Sequence, residues 1–98
     1  MMTSPFQLVA RITPKPEHMQ DVRQSLLDVL EPTRAEAGCL KFRLLEGRDG
    51  TCFYLDEEWA SDDALAAHYA ADYITPVFAK YEAWLAKPVE IHKMTALA

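Results

Sequence analysis

Hydrophobic and polar residues alternate along four stretches of the chain, which lie at residues 6–13, 39–46, 51–59 and 89–97. A period of two is typical of β-strands that bury one face and expose the other. Pro14 ends the first stretch and Pro88 precedes the last, positions that suit strand boundaries because proline cannot donate to a sheet. The pattern therefore predicts four strands.

Between the strands, apolar residues recur every three or four positions, as they do on the buried side of a helix. The first such segment begins near Pro16, and we expect it to end or kink near Glu31 because Pro32 breaks helical hydrogen bonding. Ser61 is a good N-cap for a second helix, which should run to about residue 71. A third helix is predicted from Thr75 to residue 87.

The predicted order is β-α-β-β-α-β, which with right-handed crossovers gives a ferredoxin-like α+β fold. We therefore expect a single domain over residues 1–98, with a four-stranded antiparallel sheet and helices on one face. The turn sequence GRDG at residues 47–50 predicts a hairpin between the second and third strands, in which Glu46 pairs with Thr51.

This pairing divides the hairpin into a core face and a polar face. The predicted core face carries Leu40, Phe42, Leu44, Phe53, Leu55, Glu57 and Trp59. The predicted polar face carries Lys41, Arg43, Tyr54, Asp56 and Glu58, with Lys41 opposite Asp56. Because the helices cover only the core face, we expect solvent or a second subunit on the other, together with Val9 and Met94.

Composition narrows the classes of protein that fit this pattern. The chain has 98 residues and a net charge of −5, which argues against a nucleic-acid partner because phosphates favour basic surfaces. No run approaches the roughly 20 apolar residues that a membrane span needs. The amino terminus lacks the basic start and apolar run of a signal peptide, so we expect a cytoplasmic protein. A domain of this size buries only about 60–65% of its unfolded surface, so a partner subunit would stabilise it.

The two cysteines, Cys39 and Cys52, fall roughly 20 Å apart along the predicted hairpin, which predicts free thiols rather than a disulfide. The sequence contains no CxxC pair, no metal-spaced Cys/His cluster and no phosphate-binding glycine loop. We therefore expect no metal site.

The segment most informative about chemistry runs from residue 53 to residue 78. Glu57 is unusual on a core face, because a buried carboxylate needs a hydrogen-bond donor or a proton. His68 follows on the next helix, and Asp72, one turn later, could accept its ring N–H. This arrangement fits either a histidine satisfied within an aromatic core or an acid–base site.

The other two histidines are less informative. His18 is expected to be exposed, and the orientation of His92 depends on the unknown register of the last strand. Arg11 is expected to pair with a charge across a subunit contact.

Three segments together resemble the antibiotic biosynthesis monooxygenase family, which includes quinol monooxygenases. The first is the helix start with Lys15, Pro16 and Val22, and the second is EPTRAEAGCLKFRL at residues 31–44. The third and strongest is EEWASDDALAAHYAADY at residues 57–73, which is similar to the family pattern at Glu57, Trp59, Ser61, Ala64, Leu65, Ala67 and His68. The resemblance covers nearly the whole chain.

The resemblance implies a dimeric α+β barrel, in which the sheet packs on the sheet of a second copy, and a pocket between sheet and helices. It also implies a monooxygenase that needs neither metal nor flavin and oxidises a small aromatic quinol or phenol with O₂. His68 would then be the base or hydrogen-bond partner, with Trp59 and Glu57 as further catalytic residues. The substrate-binding residues would be Phe42, Tyr69, Asp72, Tyr73 and Phe78.

The haem-degrading branch of the same superfamily resembles this chain in fold but not in its functional residues. The positions that carry an Asn, a Trp and an axial His in that branch are Ala10, His68 and Phe78 here. Haem degradation is therefore not expected. Two alternatives to the monooxygenase stay open: a small-molecule isomerase, which would need cationic residues in the pocket, and a non-catalytic dimeric binder of aromatic ligands.

Overall fold

The computed structural model describes residues 4–98, which form four strands and three α-helices. A short 3₁₀ turn, Pro16–His18, leads into the first α-helix. The elements are β1 (Phe6–Ile12), α1 (Met19–Arg34), β2 (Cys39–Glu46), β3 (Phe53–Trp59), α2 (Asp62–Tyr69), α3 (Thr75–Trp84) and β4 (Glu90–Met94).

The four strands form one antiparallel sheet in the order β2-β3-β1-β4, which confirms the predicted ferredoxin-like α+β fold. Leu8 and Ile12 of β1 are buried in the same hydrophobic core as Val22 and Leu26 of α1. The helices thus cover one side of the sheet, which we call the helix face. The opposite side, which none of the described helices covers, is called the open face.

The open face is polar and carries paired charges, as predicted. Arg11 lies 3.6 Å from Glu90 on the neighbouring strand, so its partner in this structure belongs to the same chain. Residues that share this face by cross-strand pairing are Gln7, Val9, Arg11, Lys41, Arg43, Leu45, Tyr54, Asp56, Glu58, Glu90, His92 and Met94. The packing of this face on a second copy stays a prediction.

The predicted pairing of the β2–β3 hairpin is wrong by two residues, because Glu46 pairs with Phe53 instead of Thr51. The connection is longer than a four-residue turn. It is closed by a hydrogen bond from Gly47 N to Cys52 O at 2.8 Å, and Gly50 adopts a left-handed φ of 74°. Cys39 and Cys52 are both free thiols.

Apart from Leu40, the side chains of the hairpin all stay on their predicted faces despite the shift of two residues, because side chains alternate with a period of two. It does change the partners across the strands. Arg43, rather than Lys41, lies directly opposite Asp56. Lys41 still reaches Asp56 diagonally, with Nζ 3.2 Å from Oδ1.

Leu40 is not on the core face, contrary to the prediction. The pairing of β2 with β3 changes register between Cys39 and Lys41, which leaves Leu40 as the extra residue of a β-bulge. Its side chain is 51% exposed. The bulge ends the regular pairing at the point where β2 meets the connection from α1.

Helix α1 continues through Pro32 to Arg34, so of the two predicted outcomes, an end or a kink near Glu31, the end is wrong. Proline removes only the hydrogen bond to the carbonyl of Asp28, whose residue is exposed to solvent. The extra turn buries Thr33 completely. This turn also brings the segment that follows it close to α2.

The other elements begin close to the predicted positions and end earlier. The Ser61 side chain caps α2, accepting a hydrogen bond from Ala64 N at 3.1 Å, as predicted. Helices α2 and α3 end at Tyr69 and Trp84, and β4 ends at Met94. None of the helices within residues 4–98 is long and apolar enough to cross a membrane.

Candidate active site

A small cavity lies between the helix face of the sheet and helices α2 and α3. Its volume is about 50 Å³. Apolar and aromatic side chains make up most of its wall, so a ligand bound there would contact mainly apolar surface. Its ionisable lining residues are Glu57, His68, Tyr69 and Tyr81, and the neighbouring wall includes Phe42, Leu55, Val77, Phe78 and Ile91.

Glu57 places a carboxyl group in this apolar wall. Strand β3 directs it toward the helices, where it is only 3% exposed. Its Oε1 accepts a hydrogen bond from the indole Nε1 of Trp59 at 2.7 Å, between two residues on the same side of the strand. Burial raises the pKa of Glu57 to about 7, and the indole hydrogen bond acts in the opposite direction. Near neutral pH this group can therefore give or take a proton.

His68 lies in a cage of aromatic rings. Its ring centroid is 4.8 Å from that of Trp59, 5.8 Å from Phe42 and 5.7 Å from Tyr69. The residue is 4% exposed and lines the cavity. Burial raises the pKa of Tyr69 to about 12, with a further contribution from the Glu57 carboxylate, so this phenol keeps its proton at neutral pH.

The carboxylate bound to His68 is that of Glu36, not that of Asp72 as predicted. His68 Nδ1 lies 2.7 Å from Glu36 Oε2. Asp72 is exposed to solvent at the end of the α2 region, because α2 stops at Tyr69 and the chain turns before it. The geometry therefore replaces a local i,i+4 pair with a contact between residues 32 positions apart.

A second hydrogen bond reaches the same oxygen of Glu36. The hydroxyl of Tyr73 donates to Glu36 Oε2 and also lies 3.2 Å from Oγ1 of the buried Thr33. Burial and the Glu36 hydrogen bond raise the pKa of Tyr73 to about 12, so the hydroxyl is a donor at neutral pH. Tyr73 thus supports the carboxylate beside His68 instead of lining the cavity.

Gly38 allows the Glu36 segment to approach α2. A Cβ atom added to Gly38 would overlap the Cβ of Ala64, so a larger residue would push the segment away. The contact is fixed by a hydrogen bond from Ala60 N to Gly38 O at 2.9 Å. This close approach lets a residue from the α1–β2 connection meet His68.

The structure brings together most of the residues selected from the sequence. Those that line the cavity are Phe42, Glu57, His68, Tyr69 and Phe78. Trp59 does not line the cavity but donates its indole N–H to Glu57, and Tyr73 donates its hydroxyl to Glu36. Asp72 is exposed to solvent and lies outside the group. Sequence reasoning missed Glu36, although it belongs to the EPTRAEAGC segment that carried part of the resemblance; that motif was the available signal.

A wider, more open cavity adjoins the first one. It measures about 450 Å³ and shares Phe78, Tyr81 and Val89 with the inner cavity. Phe78 is 42% exposed, and its ring contributes to the walls of both cavities. Within residues 4–98 no group of His, Cys, Asp or Glu side chains is arranged to hold a metal ion.

Comparison with known proteins gives a consistent result. The family model for antibiotic biosynthesis monooxygenase matches residues 5–87. Rv0793 from Mycobacterium tuberculosis, named provisionally as a monooxygenase, is 33% identical over 96 residues, which cover 98% of this chain and 95% of that protein. The structure of Rv0793 matches this one with a TM-score of 0.92, 32% identity and 97% coverage of each chain.

Two further solved structures have the same fold. PA3566 from Pseudomonas aeruginosa matches with a TM-score of 0.91 and 35% identity, covering 100% of this chain and 99% of its own. A structure of an antibiotic biosynthesis monooxygenase matches with a TM-score of 0.88 and 26% identity, covering 95% of this chain and 99% of its own. The similarity therefore extends over the elements that form the cavity.

Proposed function

The chain belongs to the antibiotic biosynthesis monooxygenase family, and from this premise we propose that it oxidises a small aromatic quinol or phenol with O₂, without a metal or flavin. One observation carries the proposal: an aromatic-walled cavity contains an imidazole held by one carboxylate and a second carboxyl group with a pKa of about 7. Such a site can bind an aromatic ring and remove its phenolic proton.

The reaction balances without an external reductant. A hydroquinone and O₂ give a hydroxyquinone and water, with one oxygen atom entering the ring and the other leaving as water. Deprotonation of the substrate produces an electron-rich anion, which supplies the electrons that O₂ takes up. The protein is asked only to bind, orient and deprotonate.

Each cavity residue then has a definite task. His68 accepts the phenolic proton, because its ring lines the cavity and is held in one orientation. Glu57 hydrogen-bonds a second substrate oxygen. Phe42 and Tyr69 flank the imidazole and offer faces against which an aromatic ring can pack.

Substrate entry requires movement of Phe78. A cavity of about 150 Å³ accommodates benzene in another protein, whereas the inner cavity here measures about 50 Å³. Rotation of the half-exposed Phe78 ring would join the inner cavity to the adjoining one of about 450 Å³. The substrate ring would then reach His68 while the rest of the molecule occupies the outer space.

The isomerase alternative finds little support in the cavity wall. Its lining, among residues 4–98, includes neither Lys nor Arg. Arg11 and Arg43 lie on the open face, and Lys93 pairs with Asp62 at 3.1 Å. A phosphorylated or carboxylated substrate would therefore meet no cation in the inner cavity next to His68. Lys87, which lines the adjoining cavity, already pairs with Glu90 at 3.7 Å.

We further propose that the protein is a homodimer that packs through its open face. This face combines paired charges with the apolar side chains of Val9, Leu45 and Met94. Leu45 and Met94 are 38% and 43% exposed, so a second copy would cover apolar surface that a lone subunit leaves in water.

The experiment is oxygen uptake by protein freed of metal and flavin, measured with hydroquinone and with a larger naphthalenediol. We expect uptake with at least one of them, and H68A to lower kcat by about 10²- to 10⁴-fold, the usual contribution of a general base. The matched control is H18A, which removes a partly exposed histidine of the 3₁₀ turn before α1.

Two results would contradict the proposal. One is the absence of oxygen uptake with every quinol and phenol tested. The other is tight binding of these compounds, without turnover, that H68A leaves unchanged; this result would identify the protein as an aromatic-ligand binder.

A further inference from the structure

Glu36 occupies a particular place beside the cavity. Its Oε2 accepts a hydrogen bond from the Tyr73 hydroxyl and lies 2.7 Å from Nδ1 of the His68 ring. The His68 side chain is 6% exposed, whereas that of Glu36 is 21% exposed. The carboxylate is therefore more accessible to solvent than the imidazole, and Glu36 does not line the cavity, whereas His68 does.

We propose that Glu36 is a positioning residue that keeps a proton on Nδ1 of His68, leaves Nε2 free as the base, and balances the charge of the imidazolium formed when the substrate is deprotonated. This inference rests on the proposed function. It adds to that function the residue that gives His68 its chemical state.

The hydrogen-bond pattern determines which nitrogen carries the proton. Tyr73 is a donor, because its phenol keeps its proton at neutral pH. Glu36 Oε2 accepts from Tyr73, and an ionised carboxylate has no proton of its own to donate, so we assign the His68 nitrogen that contacts the same oxygen as a donor as well. A neutral imidazole with a proton on Nδ1 has its lone pair on Nε2.

The surroundings of His68 leave Glu36 as its balancing charge. From β3 the ring meets Trp59, and from β2 it meets Phe42; neither carries a charge. Tyr69, on α2, keeps its proton. The other carboxyl group of the cavity, Glu57, is about half-ionised near neutral pH and is hydrogen-bonded to the indole of Trp59, whereas Glu36 is the carboxyl group in contact with the His68 ring.

The proton transfer that follows is simple to balance. The O–H bond of the substrate breaks, a bond forms between that proton and Nε2, and the electron pair stays on the substrate oxygen. The Nδ1 proton remains in its hydrogen bond, so the positive imidazolium lies 2.7 Å from the negative carboxylate. O₂ then adds to the ring carbon beside that oxygen, and the Nε2 proton passes to the peroxide so formed. When the O–O bond breaks, the outer oxygen leaves as water with this proton and the hydrogen of the same ring carbon, and the inner oxygen stays on the ring.

The first experiment needs no substrate. In ¹⁵N-labelled protein, NMR distinguishes the two neutral forms of the His68 ring. We expect the form protonated on Nδ1 to dominate in the unaltered protein and the form protonated on Nε2, which free histidine prefers, to dominate in E36A. The same form in both proteins would overturn the inference, whatever the enzyme assays show.

The second experiment uses turnover. We expect E36A to lower kcat by about 10²-fold with little change in KM, and added formate to restore part of the loss, because the site is open to solvent on that side. Formate should not affect E31A, which removes an exposed carboxylate of α1. A kcat for E36A equal to that of the unaltered protein, or a loss that formate leaves unchanged, would contradict the role of the carboxylate.

A third variant, E36Q, removes the charge of Glu36 but keeps the shape of its side chain, and it can replace E36A if that variant does not fold. E36Q keeps an oxygen that can accept from Nδ1, so its His68 ring should stay protonated on Nδ1. Its kcat should still fall about 10-fold, because the imidazolium loses its counter-charge. An unchanged kcat in E36Q would overturn the charge-balancing part of the inference. If no quinol is oxidised at all, the proposed function fails, while the NMR result still decides the state of His68.

Discussion

Asp56, Glu57 and Glu58 are consecutive residues of β3, yet the two faces of the sheet give their carboxylates different surroundings. Asp56 and Glu58 point to the open face, where Arg43 and Lys41 lie directly across from them on β2. Glu57 points to the helix face, where Leu8 and Phe42 are its cross-strand neighbours. Its hydrogen-bond donor is the indole of Trp59, which is not a cation.

The difference in surroundings is a difference in free energy. A half-exposed ion pair such as Lys41–Asp56 contributes about 0–1 kcal/mol. The pKa of Glu57, about 7 instead of 4.5, corresponds to a cost of roughly 3 kcal/mol once the group is ionised in the folded protein. An apolar residue would avoid this cost. The presence of the Glu57 carboxyl group beside the cavity therefore points to chemistry rather than to stability.

The largest effect should come from removing this ionisation. Because its folded pKa is raised, Glu57 costs nothing below pH 4.5, and its cost grows as the pH rises toward 7. E57Q keeps the side-chain oxygen that accepts from Trp59 but cannot ionise. Urea unfolding should therefore show E57Q to be more stable than the unaltered protein by roughly 3 kcal/mol at pH 8, and similar to it at pH 4.5.

E58Q is the matched control, since it makes the same change one residue later on the open face. It should not reproduce the gain in stability between pH 4.5 and pH 8. A stability difference for E57Q that is the same at both pH values would mean that Glu57 does not carry the unusual ionisation.

The separation into two faces could be predicted from the sequence, and the reason is physical. The alternation of side chains survives a shift of two residues, so the faces were correct although Glu46 pairs with Phe53. The shift itself depends on how the connection at residues 47–52 closes, which the turn sequence alone does not determine. Leu40 was misplaced because a bulge breaks the alternation locally.

In the candidate site too, sequence patterns predicted the local placement of residues but not the contact between residues far apart in the chain. The placement of Glu57 and Trp59 together follows from the period of one strand, and both were selected from the sequence. The partner of His68 was assigned to Asp72, which is near in sequence, while the actual partner, Glu36, comes from another connection. That contact depends on how closely Gly38 approaches Ala64, a tertiary feature without a local pattern.

The next largest effect should come from a substitution in the proposed dimer contact on the open face. Val9 lies in the middle of this face, between Asp56 on β3 and His92 on β4. V9K places a cation beside Asp56, which a single subunit accommodates, but a second copy would have to bury that charge. We expect the dissociation constant of the dimer to rise by about 100-fold, or about 2.7 kcal/mol, in light scattering or sedimentation.

L27K provides the comparison for V9K, because Leu27 is an apolar residue of α1 that is 47% exposed. This variant should leave the association state unchanged. A protein that is monomeric at micromolar concentration before any substitution, or a V9K protein that associates as tightly as L27K, would remove the open face as a dimer contact.

In a lone subunit the smallest effect should come from Asp56, and the size of the effect measured reports on whether a second copy covers the open face. In a lone subunit the Lys41 and Asp56 side chains are 37% and 36% exposed, so D56N should lower the free energy of unfolding by at most about 1 kcal/mol, and added salt should reduce the difference. If a second copy buries the pair, loss of one partner leaves an unpaired charge in the contact and should cost about 3–5 kcal/mol. Measuring this cost twice, as D56N against the unaltered protein and as D56N/V9K against V9K, separates the two cases: it should be small in the dissociated V9K background and larger in the dimer. Equal, small costs in both backgrounds would mean that this pair stays in water, and the contact between two sheets would then have to exclude the centre of the open face.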